Sequence, residues 1–295
     1  MNITRETVVQ ALEATLIRDN PSLLADYDAP GLEHRKAIED VSNCLGQFRR
    51  IVLNELENWP LTNKYCRGII EARLNQENPL SSKLVHMLFP DGPRELEERI
   101  ARTHHVPNFS TILSEVAIPS DPSRGAETDE AFLDIWTEIL ILDILIHRLH
   151  FQNVEKVVRG KAEPRVEFLA VQEGQTVAVE VSRIRERDFE GETLPNVTQD
   201  CYKPENRRVI REAVFRKLRR KDDQLRRFSE CERQPPDKSM VALKTSQWAY
   251  QDCREAVADV AKLLLQEESF PHIVQLLLVY DVENLDLVQN PGIKS

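Results

Sequence analysis

The segment from Glu163 to Arg185 constrains the fold of this chain most, because its pattern is that of a β-hairpin. Apolar and β-branched residues lie on both sides of the sequence QEGQ at 172–175. The central Glu-Gly pair suits a two-residue loop whose backbone has positive φ angles. We therefore expect Gln172 to pair with Gln175 and two antiparallel strands to run outward from that pair.

Counting outward from this loop places Glu167 opposite Glu180 and Arg165 opposite Ser182, with all four side chains on one face. Two carboxylates in that arrangement repel each other and destabilise the sheet. A metal ion, a proton or a nearby cation would remove the repulsion. A divalent cation held by two carboxylates can also activate water and stabilise a phosphate oxygen during phosphodiester hydrolysis.

The sequences Pro164-Arg165-Val166-Glu167 and Glu180-Val181-Ser182 resemble the active-site motif of the PD-(D/E)xK nuclease superfamily, which has the restriction-endonuclease-like fold. In that family one strand carries an acid, the next carries the triplet acid-x-Lys, and a preceding helix often adds a glutamate. The resemblance covers about residues 127 to 285. It implies a metal-dependent DNA endonuclease acting in genome defence or repair, with Mg²⁺ or Mn²⁺ held by Glu167, Glu180 and Glu138.

The chain departs from this motif at the lysine position, which holds Ser182. Serine cannot supply a positive charge. Arg165, expected across the hairpin, could provide electrostatic stabilisation, but a guanidinium stays protonated and is a poor base. An alternative is therefore a catalytically inactive module of the same fold that binds nucleic acid or protein. A third interpretation, a structural scaffold without a nucleic-acid partner, is favoured by the net charge of −10.

Glu138 lies at the edge of the apolar stripe of a helix that is predicted to begin near Thr128. Ile135 and Leu142 are its neighbours on that stripe. An acid at this position either lines a site, as the resemblance implies, or is simply exposed on a broadly apolar helix.

A basic helix is predicted over residues 205–228, within a chain that is acidic overall. Its apolar stripe repeats at helical spacing, at Ile210, Val214, Leu218, Leu225 and Phe228. The side away from this stripe carries Arg208, Arg216, Arg219, Arg220, Arg226 and Arg227. These arginines could bind the phosphates of DNA. Alternatively, they pair with acidic neighbours in a chain that has 49 acids.

Length and composition indicate a helix-rich α/β protein, since the 295 residues are 41% hydrophobic and include only nine glycines. We expect a helical domain over 1–106, a linker over 107–127, an α/β domain over 128–285 with a mixed sheet between helices, and a loose tail over 286–295. The helical domain could bind a protein partner or form a homo-oligomer. A long charged loop is expected over 185–204, and a helix capped by Thr245 or Ser246 before a buried last strand.

Five cysteines without CxxC spacing are typical of a reduced, cytoplasmic protein without a structural zinc site. The first residues carry an acid and lack an apolar run, so we expect no signal peptide. The most apolar run, 135–149, is too short and too charged to cross a membrane.

Overall fold

The structure is a computed structural model that describes residues 2–19, 32–114, 120–160, 163–185, 188, 203–245, 254–280 and 283–293. Contacts divide the chain into two compact units. Unit 1 comprises Met1–His104 and Leu113–Trp136, and unit 2 comprises His105–Ile112 and Thr137–Ser295. Within the segment 107–127, where a linker is expected, Phe109 and Ile112 are buried and fall in unit 2.

The described residues of unit 1 form helices joined by short turns and connections. The helices of its first segment are α1 (Arg5–Asp19), α2 (Leu32–Asn43), α3 (Leu45–Leu56), α4 (Pro60–Leu74), α5 (Lys83–Met87) and α6 (Arg94–Thr103). Two further helices cross from one unit to the other along the chain, α7 (Phe109–Ser114) and α8 (Gly125–His147). Apolar residues at helical spacing, such as Val41, Phe48 and Val52, form the buried core of this unit.

Unit 2 is built on a six-stranded mixed sheet in the described part of the chain, which confirms the predicted α/β class. The strands lie in chain order: β1 (Gln152–Lys156), β2 (Phe168–Gln172), β3 (Gln175–Arg183), β4 (Lys238–Lys244), β5 (Gln275–Val279) and β6 (Leu285–Gln289). The central strands β3, β4 and β5 are parallel, and the outer pairings are antiparallel.

Two helices provide the crossovers between the parallel strands, α9 (Pro204–Cys231) after β3 and α10 (Arg254–Glu267) after β4. The predicted apolar stripe of α9 is buried and joins one core with residues of β3, β4, β5 and α10. Burying this stripe fixes the angular position of α9, so that the residues between the apolar ones have defined directions relative to the sheet.

The hairpin loop is as predicted. Glu173 and Gly174 have φ angles of 53° and 79°, and Gln172 pairs with Gln175. The regular ladder then ends at the pair of Phe168 and Val179.

The register of the ladder is the predicted one, but the two outer pairs expected for this hairpin, Glu167 with Glu180 and Arg165 with Ser182, are not ladder pairs, because the ladder ends one residue before Glu167. The backbone N–H of Glu167 donates to the Val179 carbonyl at 3.1 Å, so the chain leaves the regular ladder at this residue. Pro164, three residues earlier, has no N–H with which to extend a ladder.

The predicted loose tail is also wrong, because Leu285–Gln289 form the edge strand β6 against β5. Asn290 secures its end: its buried side-chain amide donates to the carbonyls of Phe270 and Ile273 at 3.0 and 2.8 Å. Most of the loop expected over 185–204 lies outside the described residues, as does Ser246. Thr245, the other expected cap, donates its N–H and its hydroxyl to the Val279 carbonyl at 3.0 and 3.2 Å. Within the described ranges, no helix has the length and apolarity needed to cross a membrane.

Candidate active site

Five charged side chains meet in unit 2, and we refer to them as the charged cluster. Three are carboxylates, Glu138 of α8, Glu167 directly before β2 and Glu180 of β3. Two are ammonium groups, Lys156 of β1 and Lys221 of α9. They come from five different segments of the chain, and buried ionic groups of this kind require pairing.

Lys156 joins two of these carboxylates. Its Nζ lies 2.8 Å from Glu138 Oε2 and also contacts Glu167 Oε2, while its side chain is only 1% exposed. Burial acts to lower the pKa of Lys156, but the charges of Glu138 and Glu167 outweigh burial and hold it above its ordinary value. Lys156 is therefore a fixed, charged link between α8 and the hairpin.

Glu180 is completely buried and has one ammonium partner. Lys221 Nζ donates to its Oε2 at 2.6 Å, whereas its Oε1 is buried and has no hydrogen-bond partner among the described residues. Burial raises the pKa of Glu180 to about 7, and the charge of Lys221 only partly offsets that effect. One oxygen of this carboxylate therefore remains for a ligand.

The charge of Glu167 acts on Glu180 although the two residues are not a ladder pair. Its negative charge contributes to the raised pKa of Glu180. For Glu167 itself, burial acts to raise the pKa, but Lys156, Lys221 and Arg165 together hold it below the ordinary value. The predicted site residues Glu138, Glu167, Glu180 and Arg165 are thus all near one another, while Ser182 lies two residues beyond Glu180 and adds no charge.

Sequence reasoning missed the two lysines. The apolar stripe of α9 has a gap of seven residues between Leu218 and Leu225, and Lys221 occupies the position in that gap where a buried residue belongs. Lys156 follows the buried Val154 by two residues on β1, so strand alternation directs it toward the interior. A lysine at a position where the apolar pattern of a helix or strand predicts a buried residue is the sequence feature that could have located both.

Five of the six arginines that were predicted to face DNA have protein partners. Arg208, Arg226 and Arg227 pair with acids of α9 at 2.7–3.6 Å, and Arg216 and Arg219 donate to the carbonyls of Asp188 and Ser269. Arg220 is exposed, and none of the described acids pairs with it. Three of the six arginines, Arg208, Arg226 and Arg227, therefore fit the interpretation in which they pair with acidic neighbours.

The oxygen atoms of the charged cluster are only partly suited to bind a hard divalent cation such as Mg²⁺. Its ligand atoms are carboxylate oxygens, and one of them, Glu180 Oε1, has no described partner. With all groups ionised, the three carboxylates face the two ammonium groups of the cluster and the guanidinium of Arg165, whose charge lowers the pKa of Glu167. However, no three His, Cys, Asp or Glu residues in the described ranges form a group that could hold a metal by themselves.

Comparison with known proteins finds no matching family model, no matching curated protein and no matching solved structure. Function is therefore inferred from the charged cluster itself.

Proposed function

We propose that this protein is a metal-dependent phosphodiesterase that cleaves DNA, with Mg²⁺ or Mn²⁺ held by Glu167 and Glu180. The observation that supports this proposal is the contact of Lys221 Nζ with Glu180 at 2.6 Å. The resembled nuclease family requires a lysine beside its second acid, and here Ser182 occupies the expected position. An ammonium group from α9 supplies the missing charge at the same carboxylate.

The residues have separate roles in this proposal. Glu167 and Glu180 orient the cation, which when bound would lower the pKa of a water molecule and stabilise charge on the phosphate. Lys221 lowers the pKa of Glu180, which favours its ionised form, and adds a fixed positive charge near the reacting phosphate. Arg165 contributes further positive potential, since its charge already lowers the pKa of Glu167. Ser182 has no catalytic role.

Access from solvent is on the side of Glu138 and Glu167. Their side chains are 13% and 14% exposed, whereas that of Glu180 is completely buried. A phosphate would therefore approach from the partly exposed carboxylates, and the ion would lie between it and Glu180. Arg220 is exposed and none of the described acids pairs with it, so it is the arginine of this helix that remains available to contact a nucleic-acid strand.

A second candidate function is a catalytically inactive module that binds nucleic acid or protein. It is favoured by the lysines, because Lys156 and Lys221 already neutralise much of the carboxylate charge without a metal. In that case the cluster stabilises the fold, and binding falls to the basic helix or to the helices of unit 1, through which a protein partner or a second copy could bind. A role in genome defence or repair fits either candidate.

The two candidates are separated by incubating plasmid DNA with the protein and Mg²⁺ or Mn²⁺. We expect the wild-type protein to nick or linearise the plasmid, and Glu180→Gln and Lys221→Met to lose at least about 100-fold of that activity. Lys217→Met is the matched control, because Lys217 is another buried lysine of α9 but pairs with Asp188 at 2.7 Å.

Cleavage that survives in Glu180→Gln would contradict the proposed site, as would equal losses in Lys221→Met and Lys217→Met. DNA binding by the wild-type protein without cleavage in either metal would favour the inactive module. Circular dichroism spectra of all variants would show that losses of activity do not come from unfolding.

A further inference from the structure

We infer that the ammonium group of Lys156 stands where a second divalent cation would otherwise bind, so that the protein takes up one metal ion and not two. This inference rests on the proposed function. It assigns Glu138 to holding Lys156, and it leaves metal binding to Glu167 and Glu180.

The contacts of Lys156 are those of a bridging cation. Its Nζ lies 2.8 Å from an oxygen of Glu138 and contacts an oxygen of Glu167, so carboxylates from two separate elements converge on a single positive charge. The same nitrogen lies over the Phe168 ring, 5.6 Å from its centroid, which adds a cation–π contact. Two carboxylates around one cation is also how a metal ion is commonly held.

The backbone of Lys156 is fixed, which keeps the ammonium group in place. Its N–H donates to the Pro107 carbonyl at 3.2 Å, and its carbonyl accepts a hydrogen bond from the Asn108 side chain at 3.1 Å. Moving the side chain away would leave Glu138 and Glu167 without their shared cation in a largely buried place. A divalent ion at this position would also be repelled by the ammonium charge.

The Glu180 side of the cluster is different. Lys221 contacts only Oε2 of Glu180, and the buried Oε1 has no partner among the described residues. An ion bound there gains an oxygen ligand without displacing a lysine. The cluster is therefore asymmetric: Lys156 supplies the cation on the Glu138 side, and a metal ion would supply it on the Glu180 side.

The number of bound ions tests this inference without any measurement of activity. Full-length protein is titrated with Mn²⁺ at neutral pH, and free Mn²⁺ is followed by electron paramagnetic resonance. We expect one ion per chain for the wild-type protein and for Lys217→Met, and two for Lys156→Met, in which the carboxylates of Glu138 and Glu167 lose their ammonium partner.

Two ions in the wild-type protein would overturn the inference and leave the proposed function intact, whereas no bound ion would overturn the proposed function itself. One ion in Lys156→Met would also overturn the inference, since a second cation would then not replace the ammonium group.

Removing Lys156 destabilises the fold, because two carboxylates lose their cation. Two further measurements address this. The double variant Lys156→Met/Glu138→Gln has one carboxylate fewer and is expected to bind one ion. Thermal unfolding is expected to show a larger increase in Tm with Mn²⁺ for Lys156→Met than for the wild-type protein, because two ions then bind the native state. Equal increases would contradict the inference.

Discussion

The carboxyl group of Glu180 on strand β3 is buried, and its single ammonium partner, Lys221, lies at 2.6 Å. A buried carboxylate loses its hydration, and it stays ionised only if a nearby opposite charge compensates for the lost hydration energy. Lys221 supplies part of that compensation, which is why the pKa of Glu180 is raised to about 7 and not beyond it. A metal ligand must be ionised, so Lys221 prepares Glu180 for a cation as well as for catalysis.

The raised pKa of Glu180 predicts how stability depends on pH. Between the ordinary carboxyl pKa and about 7, native Glu180 binds a proton that the unfolded chain does not, so its contribution to the free energy of unfolding falls as the pH rises through this range. Between pH 5 and pH 8, the free energy of unfolding of the wild-type protein, measured by urea denaturation, is expected to fall by up to roughly 3 kcal/mol relative to that of Glu180→Gln.

The comparison with Glu180→Gln isolates this carboxyl group. The pKa of Glu167 is lowered, so its stabilising contribution is present above the ordinary carboxyl pKa and is lost only at more acidic pH. Half-buried His86, whose pKa is lowered mainly by desolvation, has the same effect in both proteins. Parallel pH profiles for the wild-type protein and Glu180→Gln would contradict the account of Glu180.

At the scale of elements, the hairpin and α9 position the site. The two-residue loop sets the register of β2 and β3, and the buried stripe of α9 directs Lys221 toward β3. The same register carries the chain to Glu167, where the ladder ends and the carboxylate reaches Lys156. The geometry of the cluster therefore depends on the backbone conformation of a turn that contributes no residue to it.

The loop makes a prediction for Gly174, whose φ is 79°. A Cβ atom at this position would have no atom within 4 Å, so Gly174→Ala tests the backbone conformation alone. We expect a loss of roughly 1–2 kcal/mol in the free energy of unfolding, measured by urea denaturation, because a positive φ angle is unfavourable for residues other than glycine. Glu173→Asn is the matched variant and is expected to be neutral or stabilising, since Asn tolerates positive φ. An unchanged stability in Gly174→Ala would argue against this loop.

The surface of α9 makes a prediction about DNA binding. Arg226 lies between Asp223 and Glu230 at 2.7 and 2.8 Å, whereas Arg220 is exposed beside Lys221 and has no acidic partner among the described residues. Arg220→Ala is expected to weaken DNA binding and to reduce the slope of log affinity against log salt by about 1. Arg226→Ala is the control and is expected to change neither. Fluorescence anisotropy over a range of salt concentrations measures both, and equal effects would exclude Arg220 as the specific phosphate contact.

In the molecule as a whole, the sequence predicts those features that depend on residues close together along the chain. The hairpin loop follows from Glu-Gly between β-branched runs, and the buried face of α9 follows from its apolar spacing. The departure at Glu167 and the pairing of β6 depend on contacts between distant segments, so local patterns do not reveal them. The charged cluster draws residues from α8, β1, β3, α9 and the segment before β2. The roles of Lys156 and Lys221 become evident only when the fold brings these segments together.

Anomalous diffraction from crystals soaked in Mn²⁺ would show whether Glu180 and Glu167 hold a metal ion. Anomalous diffraction is expected to show one peak per chain, about 2.1 Å from Glu180 Oε1 and within ligand distance of Glu167, with Lys156 still between Glu138 and Glu167. A fully loaded crystal with no peak at Glu180, or with its only peak elsewhere on the protein, would contradict the account and leave the cluster as a set of structural ion pairs.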